Sequence, residues 1–431
     1  MKNTASIILL AVVLSCSGDF LYARDNERGF YKDIFMDGGV RLTSKQDLPV
    51  ARYLGLSIEK ILSAPTGRLT ANDTIFQSLA FIGSPEDENG LLLYPDGEPR
   101  FRMIYVNGGL ATQHGRSLSE EGRERIREYV RNGGSYLGSC AGAFITGIYC
   151  DKVEETARKE YLAIWPGFCV TTGMTDTYTG MFVEEGSPLL DYCDFGGDMY
   201  IDSVYHNGGC YASRLEGYWP EGTEVLLRYD ADTMKLYPPA HREVAAWAYK
   251  ADERSGRVIA TGSHPESKCT DERLDLMAAM VRYAMDGNGG PEVKGVLENG
   301  VPRAMTCTTG DNNPAFTRIG DRQYHHFTID VPEGVETLRI DLKTAAGWKD
   351  VDMYLFARHG GFAFMDNSGW RNIALGGNKA LLVRKPAPGK LYISVYCATT
   401  VDTEPTFYGT RYTGRTDVLN GVPYTISVKY E

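Results

Sequence analysis

Basic residues are too few and too scattered in this chain to form a nucleic-acid-binding face. Lysine and arginine number 45 against 56 aspartates and glutamates, which gives a formal net charge of −11. A DNA- or RNA-binding surface needs clustered lysine and arginine, so we expect no nucleic-acid partner. With 43% hydrophobic and 23% charged residues the composition is globular, and 431 residues predict two or three domains.

Cysteine and histidine pairs at metal-ligand spacing are also missing. No CxxC pair or Cys/His cluster occurs, so we expect neither a metal site nor a cofactor. Disulfides are permitted if the protein is exported. Cys307 and Cys397 are the only cysteines of the C-terminal part and could pair, but spacing does not fix connectivity. The nine cysteines are Cys16, Cys140, Cys150, Cys169, Cys193, Cys210, Cys269, Cys307 and Cys397.

No hydrophobic run is long enough to span a membrane, but the N-terminus carries a short one. Lys2 precedes "ASIILLAVVL", a basic start and a short apolar stretch typical of a secretory signal. We predict a signal peptide over residues 1–23. "VLSC" resembles a bacterial lipobox, which would lipidate Cys16 and attach the protein to a membrane; the alternative is cleavage after "LYA", before Arg24. Both predict a location outside the cytoplasm, in the periplasm or secreted.

The composition changes near residue 286 and divides the chain. Residues 24–285 alternate strand-like runs such as "RMIYV" and "GRVIATG" with helical patterns, which predicts an α/β domain. Ser117 and Glu120 fit a helix-capping box. Residues 286–300 are rich in glycine, which predicts a linker. Residues 301–431 contain short alternating strands between turn residues, which predicts an all-β sandwich.

Cys140 lies in "GSCAG", between the strand-like "SYLG" and the helix-like "AGAFITGIY". Strand, tight turn and helix form a nucleophile elbow when glycines stand two residues before and after the nucleophile, because strand and helix must approach closely. The start of the helix would favour the thiolate form of Cys140. The amide of Ala141 would point towards a developing oxyanion.

A second oxyanion donor is expected from a loop after a neighbouring strand. "VNGGL" is such a loop, and its donor would be the amide of Gly109, with Gly108 beside it.

His264 is the best candidate for the general base. It follows the strand "VIATG", and Glu266 comes two residues later. In an extended segment such residues point the same way, so Glu266 could hold the His264 ring and set its tautomer. Together these features favour a Cys140–His264–Glu266 triad. The alternative is a buried thiol at Cys140 and a histidine that merely caps a helix.

Residues Gly29–Met285 resemble the class I glutamine amidotransferase-like fold, and in particular the biotin–protein ligase N-terminal domain family. The resemblance rests on "CAGAF", "VNGGL", "YHNGGCY" and "SHPE". It implies a flavodoxin-like α/β sheet with Cys140 as nucleophile, His264 as base and Glu266 as its orienting partner.

The same resemblance implies a substrate pocket and limits its chemistry. The predicted pocket residues are Phe144, Tyr205, His206 and Asn207. Phe144 stands where glutamine amidotransferases usually carry a glutamine that helps to hold the substrate. "CAGA" is also similar to the "SAGA" elbow of peptidase E and cyanophycinase, which makes peptide or amide hydrolysis the stronger expectation.

The C-terminal part, about Val296–Glu431, resembles the bacterial pre-peptidase C-terminal domain. "DVDMYLF" and "PAPGKLYISVY" carry this resemblance. Such modules accompany secreted hydrolases, which implies contact with a glycan or a protein at the cell surface.

These observations predict an extracytoplasmic cysteine hydrolase that acts on an amide or peptide bond in a small molecule or a peptide. The alternative is a non-catalytic protein that binds a ligand or a surface on the same fold. A glutaminase-like amidotransferase subunit is a third possibility, and it would need a partner in the same compartment. A complete triad favours the enzyme, because a binding protein has no need of a base and a carboxylate in register.

Overall fold

A computed structural model describes residues 29–38, 48–62, 80–150, 159–214, 217–235, 240–267, 269–406 and 409–430. The predicted signal segment, with Cys16 and the two alternative processing sites, lies outside these residues. The helices are α1 (Pro49–Tyr53), α2 (Ala111–Ser117), α3 (Ser119–Arg131), α4 (Ala141–Phe144) and α5 (Glu272–Asp286).

Twelve described strands precede residue 286. They are β1 (Lys32–Gly38), β2 (Ile58–Leu62), β3 (Phe101–Val106), β4 (Ser135–Ser139), β5 (Tyr149–Cys150), β6 (Phe168–Thr171), β7 (Thr177–Val183), β8 (Tyr200–His206), β9 (Cys210–Ser213), β10 (Thr223–Tyr229), β11 (Val244–Tyr249) and β12 (Val258–Thr261). Strands β2, β1, β3, β4 and β12 pair in parallel in that order, and antiparallel β11, β10, β7 and β8 extend the sheet. The parallel order is that of flavodoxin-like folds, as the sequence predicts.

Helices cover both faces of this parallel sheet. On one face, α5 packs its buried Met280 and Ala284 against a cluster that includes Met103 of β3. On the other face, α3 buries Ile126 and Tyr129 against a second cluster. Residues next to each other on β3 point to opposite faces, and because both faces are covered every residue of this strand is buried.

The predicted capping box is not formed. Ser117 ends α2, and its hydroxyl donates to the His114 carbonyl at 2.6 Å. A separate helix, α3, begins at Ser119, whose hydroxyl accepts from the Gly122 amide at 3.5 Å. A hydroxyl that bonds back to its own helix cannot cap the next one.

The remaining strands form two sheets and one hairpin. They are β13 (Val293–Val296), β14 (Arg303–Met305), β15 (Tyr324–Val331), β16 (Thr337–Thr344), β17 (Met353–His359), β18 (Trp370–Asn372), β19 (Lys379–Arg384), β20 (Gly389–Cys397), β21 (Asp402–Thr406), β22 (Gly409–Thr413) and β23 (Tyr424–Tyr430). Sheets β13-β15-β20-β17-β18 and β14-β23-β16-β19 enclose a common apolar core. This is the predicted sandwich.

Two parts of the C-terminal region belong to the contact between the domains. The segment predicted as a linker contains β13, which pairs with β15, so it is not a free tether. Its Lys294 is buried and lies 2.8 Å from Asp96 of the α/β domain. Hairpin β21–β22 leaves the sandwich and pairs β22 with β2, at the edge of the first sheet. The composition of residues 286–300 predicts a linker because composition contains no information about pairing with distant strands.

Arg100 is the centre of the contact between the domains. It is buried and lies 3.5 Å from both Asp87 of its own domain and Asp321 of the sandwich. Its guanidinium also lies over the rings of Tyr31 and Tyr412, with centroid distances of 4.7 and 5.5 Å. A buried arginine is tolerated when carboxylates and aromatic faces surround it in this way.

Among the described helices, the longest has 15 residues. None of them is long and apolar enough to cross a membrane.

Candidate active site

Cys140 lies in the tight turn between β4 and α4. Its backbone is at φ 49° and ψ −105°, a conformation that is costly for any residue other than glycine. The turn is anchored because the Cys140 amide donates to the Thr261 carbonyl of β12 at 2.8 Å. A strained cysteine at the carboxyl end of a central parallel strand has the geometry of a nucleophile elbow.

The two elbow glycines are required by close backbone contacts. A Cβ atom on Gly138 would lie 2.3 Å from the Gly142 carbonyl oxygen. A Cβ atom on Gly142 would lie 2.0 Å from the Val106 carbonyl oxygen of β3. Helix α4 therefore lies directly on the backbones of β3 and β4. This close approach is why the sequence pattern requires glycine at both positions.

His264 and Glu266 follow β12 and lie beside the elbow. The Nδ1 atom of His264 is 2.9 Å from Oε1 of Glu266, and both side chains are buried. The His264 amide donates to the Tyr205 carbonyl at 2.9 Å, which holds the segment against the end of β8. The structure thus brings His264, Glu266 and Cys140 together.

Cys140 and Glu266 change the protonation of His264. Burial disfavours the charged imidazolium, but hydrogen bonds and charge attraction from Cys140 and Glu266 outweigh it and raise the pKa of His264 to about 10. Because this pKa exceeds the ordinary 6.5, the interaction of protonated His264 with Cys140 and Glu266 makes its full contribution to stability below pH 6.5. That contribution is lost as the pH rises through about 10.

Ser139 is part of the site although sequence reasoning did not single it out. Its hydroxyl donates to Oε1 of Glu266 at 3.0 Å and lies 3.1 Å from the hydroxyl of Tyr105. These buried hydroxyls fix the carboxylate that in turn fixes His264. The sequence marks Ser139 only by its position, because it is the last residue of β4 and stands immediately before Cys140.

The predicted oxyanion loop lies next to the elbow. Gly108 and Gly109 follow β3, whose last carbonyl, from Val106, touches Gly142 of α4. Gly109 is partly exposed at φ 152°, and Ala141 is the first residue of α4. The first amides of a helix have no acceptor within the helix, which leaves the Ala141 amide suited to an external oxygen.

Two of the predicted pocket residues lie beside Cys140 and His264. The Asn207 carbonyl lies 3.8 Å from Sγ of Cys140, and the Tyr205 ring lies 5.7 Å from the His264 ring, measured between centroids. Phe144 is partly buried and packs against the clusters on either side of α4.

His206, the neighbour of Tyr205 on β8, lies deeper in the fold. It is fully buried with its ring 5.4 Å from that of Tyr229, and burial lowers its pKa to about 4. Neighbouring residues of a strand point to opposite faces, so Tyr205 and His206 of β8 cannot both face the thiol. His206 supports the sheet beneath the site.

One group of possible metal ligands occurs in the described part of the chain. Donor atoms of Asp230, Asp232 and His241 all lie within 4.8 Å of one another. Two of these residues already have partners, because the Tyr200 hydroxyl donates to Asp230 at 2.6 Å and the Ala231 amide donates to Nδ1 of His241 at 3.1 Å. Exposed carboxylates are often grouped in this way without an ion.

Cys140, Cys169, Cys193, Cys307 and Cys397 are thiols without disulfide partners. Cys307 and Cys397, which the sequence allowed to pair, are among them. Cys397 is buried on β20 and donates to the Thr399 carbonyl at 3.6 Å, whereas the Cys307 backbone pairs with Thr317. The apolar core, and not a disulfide between Cys307 and Cys397, therefore holds the sandwich together.

The sheet order and the elbow resemble those of a class I glutamine amidotransferase-like domain, and a β-sandwich follows. The family model described as "Biotin-protein ligase, N terminal" matches residues 98–283, a range that contains the elbow, His264 and Glu266. This confirms the resemblance predicted from the motifs.

Two relatives match in sequence. An uncharacterized protein of Chlamydia muridarum is 27% identical over 217 residues, which are 48% of this chain and 78% of that protein. A biotin–protein ligase of Schizosaccharomyces pombe is 26% identical over 172 residues, which are 38% of this chain but only 25% of the ligase.

Two solved structures are similar over different parts of the chain. A glutamine amidotransferase crystal structure has a TM-score of 0.35 at 16% identity, covering 58% of this chain and 98% of that one. The pre-peptidase C-terminal domain of a Bacillus anthracis collagenase has a TM-score of 0.19 at 17% identity, covering 33% of this chain and 100% of that one.

Replacing Glu266 with glutamine is expected to lower the pKa of His264 from about 10 towards the ordinary 6.5. Glutamine keeps the shape of the side chain but removes the charge that favours the imidazolium. Titration of the imidazole signals by NMR measures the shift, with His264→Ala used to assign the signal. Glu253→Gln, at an exposed position, is the control. An unchanged titration in Glu266→Gln would contradict the assigned role of this carboxylate.

Proposed function

We propose that this protein hydrolyses an amide or peptide bond outside the cytoplasm, with Cys140 as the nucleophile. The supporting observation is the strained backbone of Cys140, at φ 49° and ψ −105°, beside a histidine that a buried carboxylate orients. Strain of this kind persists only where the surrounding structure imposes it, and it is concentrated at functional sites.

In the first half-reaction, the Cys140 thiolate attacks the carbonyl carbon of the substrate and forms a C–S bond. The amides of Ala141 and Gly109, with Gly108 beside them, stabilise the oxyanion. The pKa of His264 near 10 means that it carries a proton at neutral pH. It donates this proton to the leaving amine as the C–N bond breaks, which leaves a thioester on Cys140.

In the second half-reaction, neutral His264 takes a proton from water. The resulting hydroxide attacks the thioester carbonyl, the C–S bond breaks, and a carboxylic acid product leaves. Glu266 holds the His264 ring throughout, and Ser139 holds Glu266. This sequence needs no cofactor and returns the enzyme to its thiolate–imidazolium form.

Alkylation of Cys140 by iodoacetamide as a function of pH tests this proposal. At pH 6 we expect the wild-type protein to react about 100-fold faster than His264→Ala, because an unassisted cysteine titrates near pH 8.5. Mass spectrometry of the Cys140 peptide separates this reaction from that of the other thiols. His241→Ala, which removes a histidine next to Asp230, is the matched control.

Equal and slow alkylation of the wild-type protein and His264→Ala at pH 6 would overturn the proposal. The non-catalytic binding protein would then be the remaining candidate.

A further inference from the structure

Two tyrosines and an aspartate form a continuous surface on the hairpin of β7 and β8. Tyr178 and Tyr205 are register partners, so their side chains share one face, with ring centroids 5.2 Å apart. The Tyr205 hydroxyl donates to Oδ1 of Asp176 at 3.0 Å. We call Asp176, Tyr178 and Tyr205 the tyrosine–aspartate surface.

This surface adjoins the candidate nucleophile. The Tyr205 ring lies 5.7 Å from the His264 ring, and the Tyr205 carbonyl accepts from the His264 amide. Two residues after Tyr205, the Asn207 carbonyl lies 3.8 Å from Sγ of Cys140. A substrate held for attack by Cys140 would therefore extend one of its groups over these rings.

The surface is open and negatively charged. Tyr178 is 41% exposed, and Asp176 is exposed as well. By contrast, Glu184, directly after β7, lies 2.6 Å from Arg228. Within the ranges that the structure describes, no basic side chain forms an ion pair with Asp176.

We propose that the tyrosine–aspartate surface is a subsite for a cationic group of the substrate. The group would be an ammonium or a guanidinium next to the bond that Cys140 attacks. Aromatic faces attract cations through their quadrupole, and a carboxylate at the rim adds direct charge attraction. The inference rests on the proposed function, because it assigns the substrate class for that same thiol.

Three size-matched iodoacetamides test the charge preference. Their N-substituents are 2-(trimethylammonio)ethyl, 3,3-dimethylbutyl and 2-sulfonatoethyl, which are cationic, neutral and anionic. In each case the thiolate displaces iodide and a stable thioether forms. The rates are measured on the Cys140 peptide of the full chain at about 0.15 M salt, where long-range attraction from the net charge is screened.

We expect the wild-type protein to react roughly five- to tenfold faster with the cationic reagent than with the neutral one, and more slowly still with the anionic one. Asp176→Asn and Tyr178→Leu should each reduce this ratio to about 2 or less. Asp330→Asn removes the same charge from an exposed position on β15 and should leave the ratio unchanged.

The two proposals fail in different ways. Equal rates with all three reagents, or a preference that survives in Asp176→Asn, would overturn the subsite even if Cys140 reacts rapidly. Slow reaction with the neutral reagent that is unchanged in His264→Ala would overturn the proposed catalysis. In that case, the ratio of the rate with the cationic reagent to the rate with the neutral reagent would still test whether the subsite binds a cation.

Discussion

Replacing Gly142 with alanine is expected to lower the free energy of unfolding by about 3 kcal/mol and to abolish the enhanced reactivity that we propose for Cys140. The new Cβ atom would lie 2.0 Å from the Val106 carbonyl oxygen and 2.8 Å from its carbon. Both atoms belong to the backbone of a central strand, so no side-chain rotation relieves the overlap. Either β3 or the elbow must move, and the strained turn at Cys140 depends on both.

Urea unfolding measures the stability, and alkylation of the Cys140 peptide at pH 6 measures the reactivity. Gly122→Ala is the matched control, because its Cβ would meet its nearest atoms at 3.4 and 3.5 Å, which is ordinary contact. Gly122 lies inside α3, so this change should be neutral or stabilise by up to about 1 kcal/mol. A Gly142→Ala protein with wild-type stability and reactivity would contradict the elbow geometry.

Replacing Arg100 with methionine is expected to lower the free energy of unfolding by about 3–5 kcal/mol. Methionine fills much of the volume but leaves Asp87 and Asp321 buried without the cation that lies 3.5 Å from each. The ring contacts with Tyr31 and Tyr412 are lost as well. This cost is a large fraction of the total stability of an ordinary domain.

The pH dependence of this loss distinguishes lost charge from lost packing. Burial raises the pKa of Asp87 to about 7 even though Arg100 opposes the shift. The folded state therefore keeps a proton that the unfolded state releases above about pH 4, and stability falls as the pH rises from 4 to 7. Without Arg100 the carboxylate is harder to ionise, so Arg100→Met should be less destabilising at pH 5 than at pH 8.

The exposed Arg371 of β18 provides the control, and Arg371→Met should change stability by no more than about 0.5 kcal/mol. Equal losses at pH 5 and pH 8 for Arg100→Met would show that packing alone explains the effect.

The elbow could be predicted from the sequence because its requirements are local. Two glycines, a cysteine and the flanking strand and helix patterns lie within a few residues of one another. His264 and Glu266 could be predicted because they are two residues apart after a strand. The sequence does not identify Ser139 as the partner of Glu266. The elbow requires only a small residue before Cys140, so the pattern carries no information about what the Ser139 hydroxyl contacts.

Sequence patterns say less where the position of a side chain depends on a distant part of the chain. The predicted pocket includes both Tyr205 and His206, and the structure buries His206 completely while Tyr205 stays partly exposed. The glycine-rich linker contains β13, and its partner β15 begins about 30 residues later. Contacts such as Arg100 with Asp321 join residues more than 200 positions apart and leave no local signal.

Hairpin β21–β22 has a consequence for how the protein is made. Its second strand pairs with β2, which is synthesised more than 300 residues earlier. Among the strands that the structure describes, only β22 covers the β2 edge, so until the hairpin emerges none of these strands protects it, and open edges promote aggregation. Proteins of several domains generally fold one domain at a time during synthesis. Here the first domain reaches its final form only when nearly the whole chain is available. A chain stopped before residue 402 would leave the β2 edge open to pairing with a strand of another molecule.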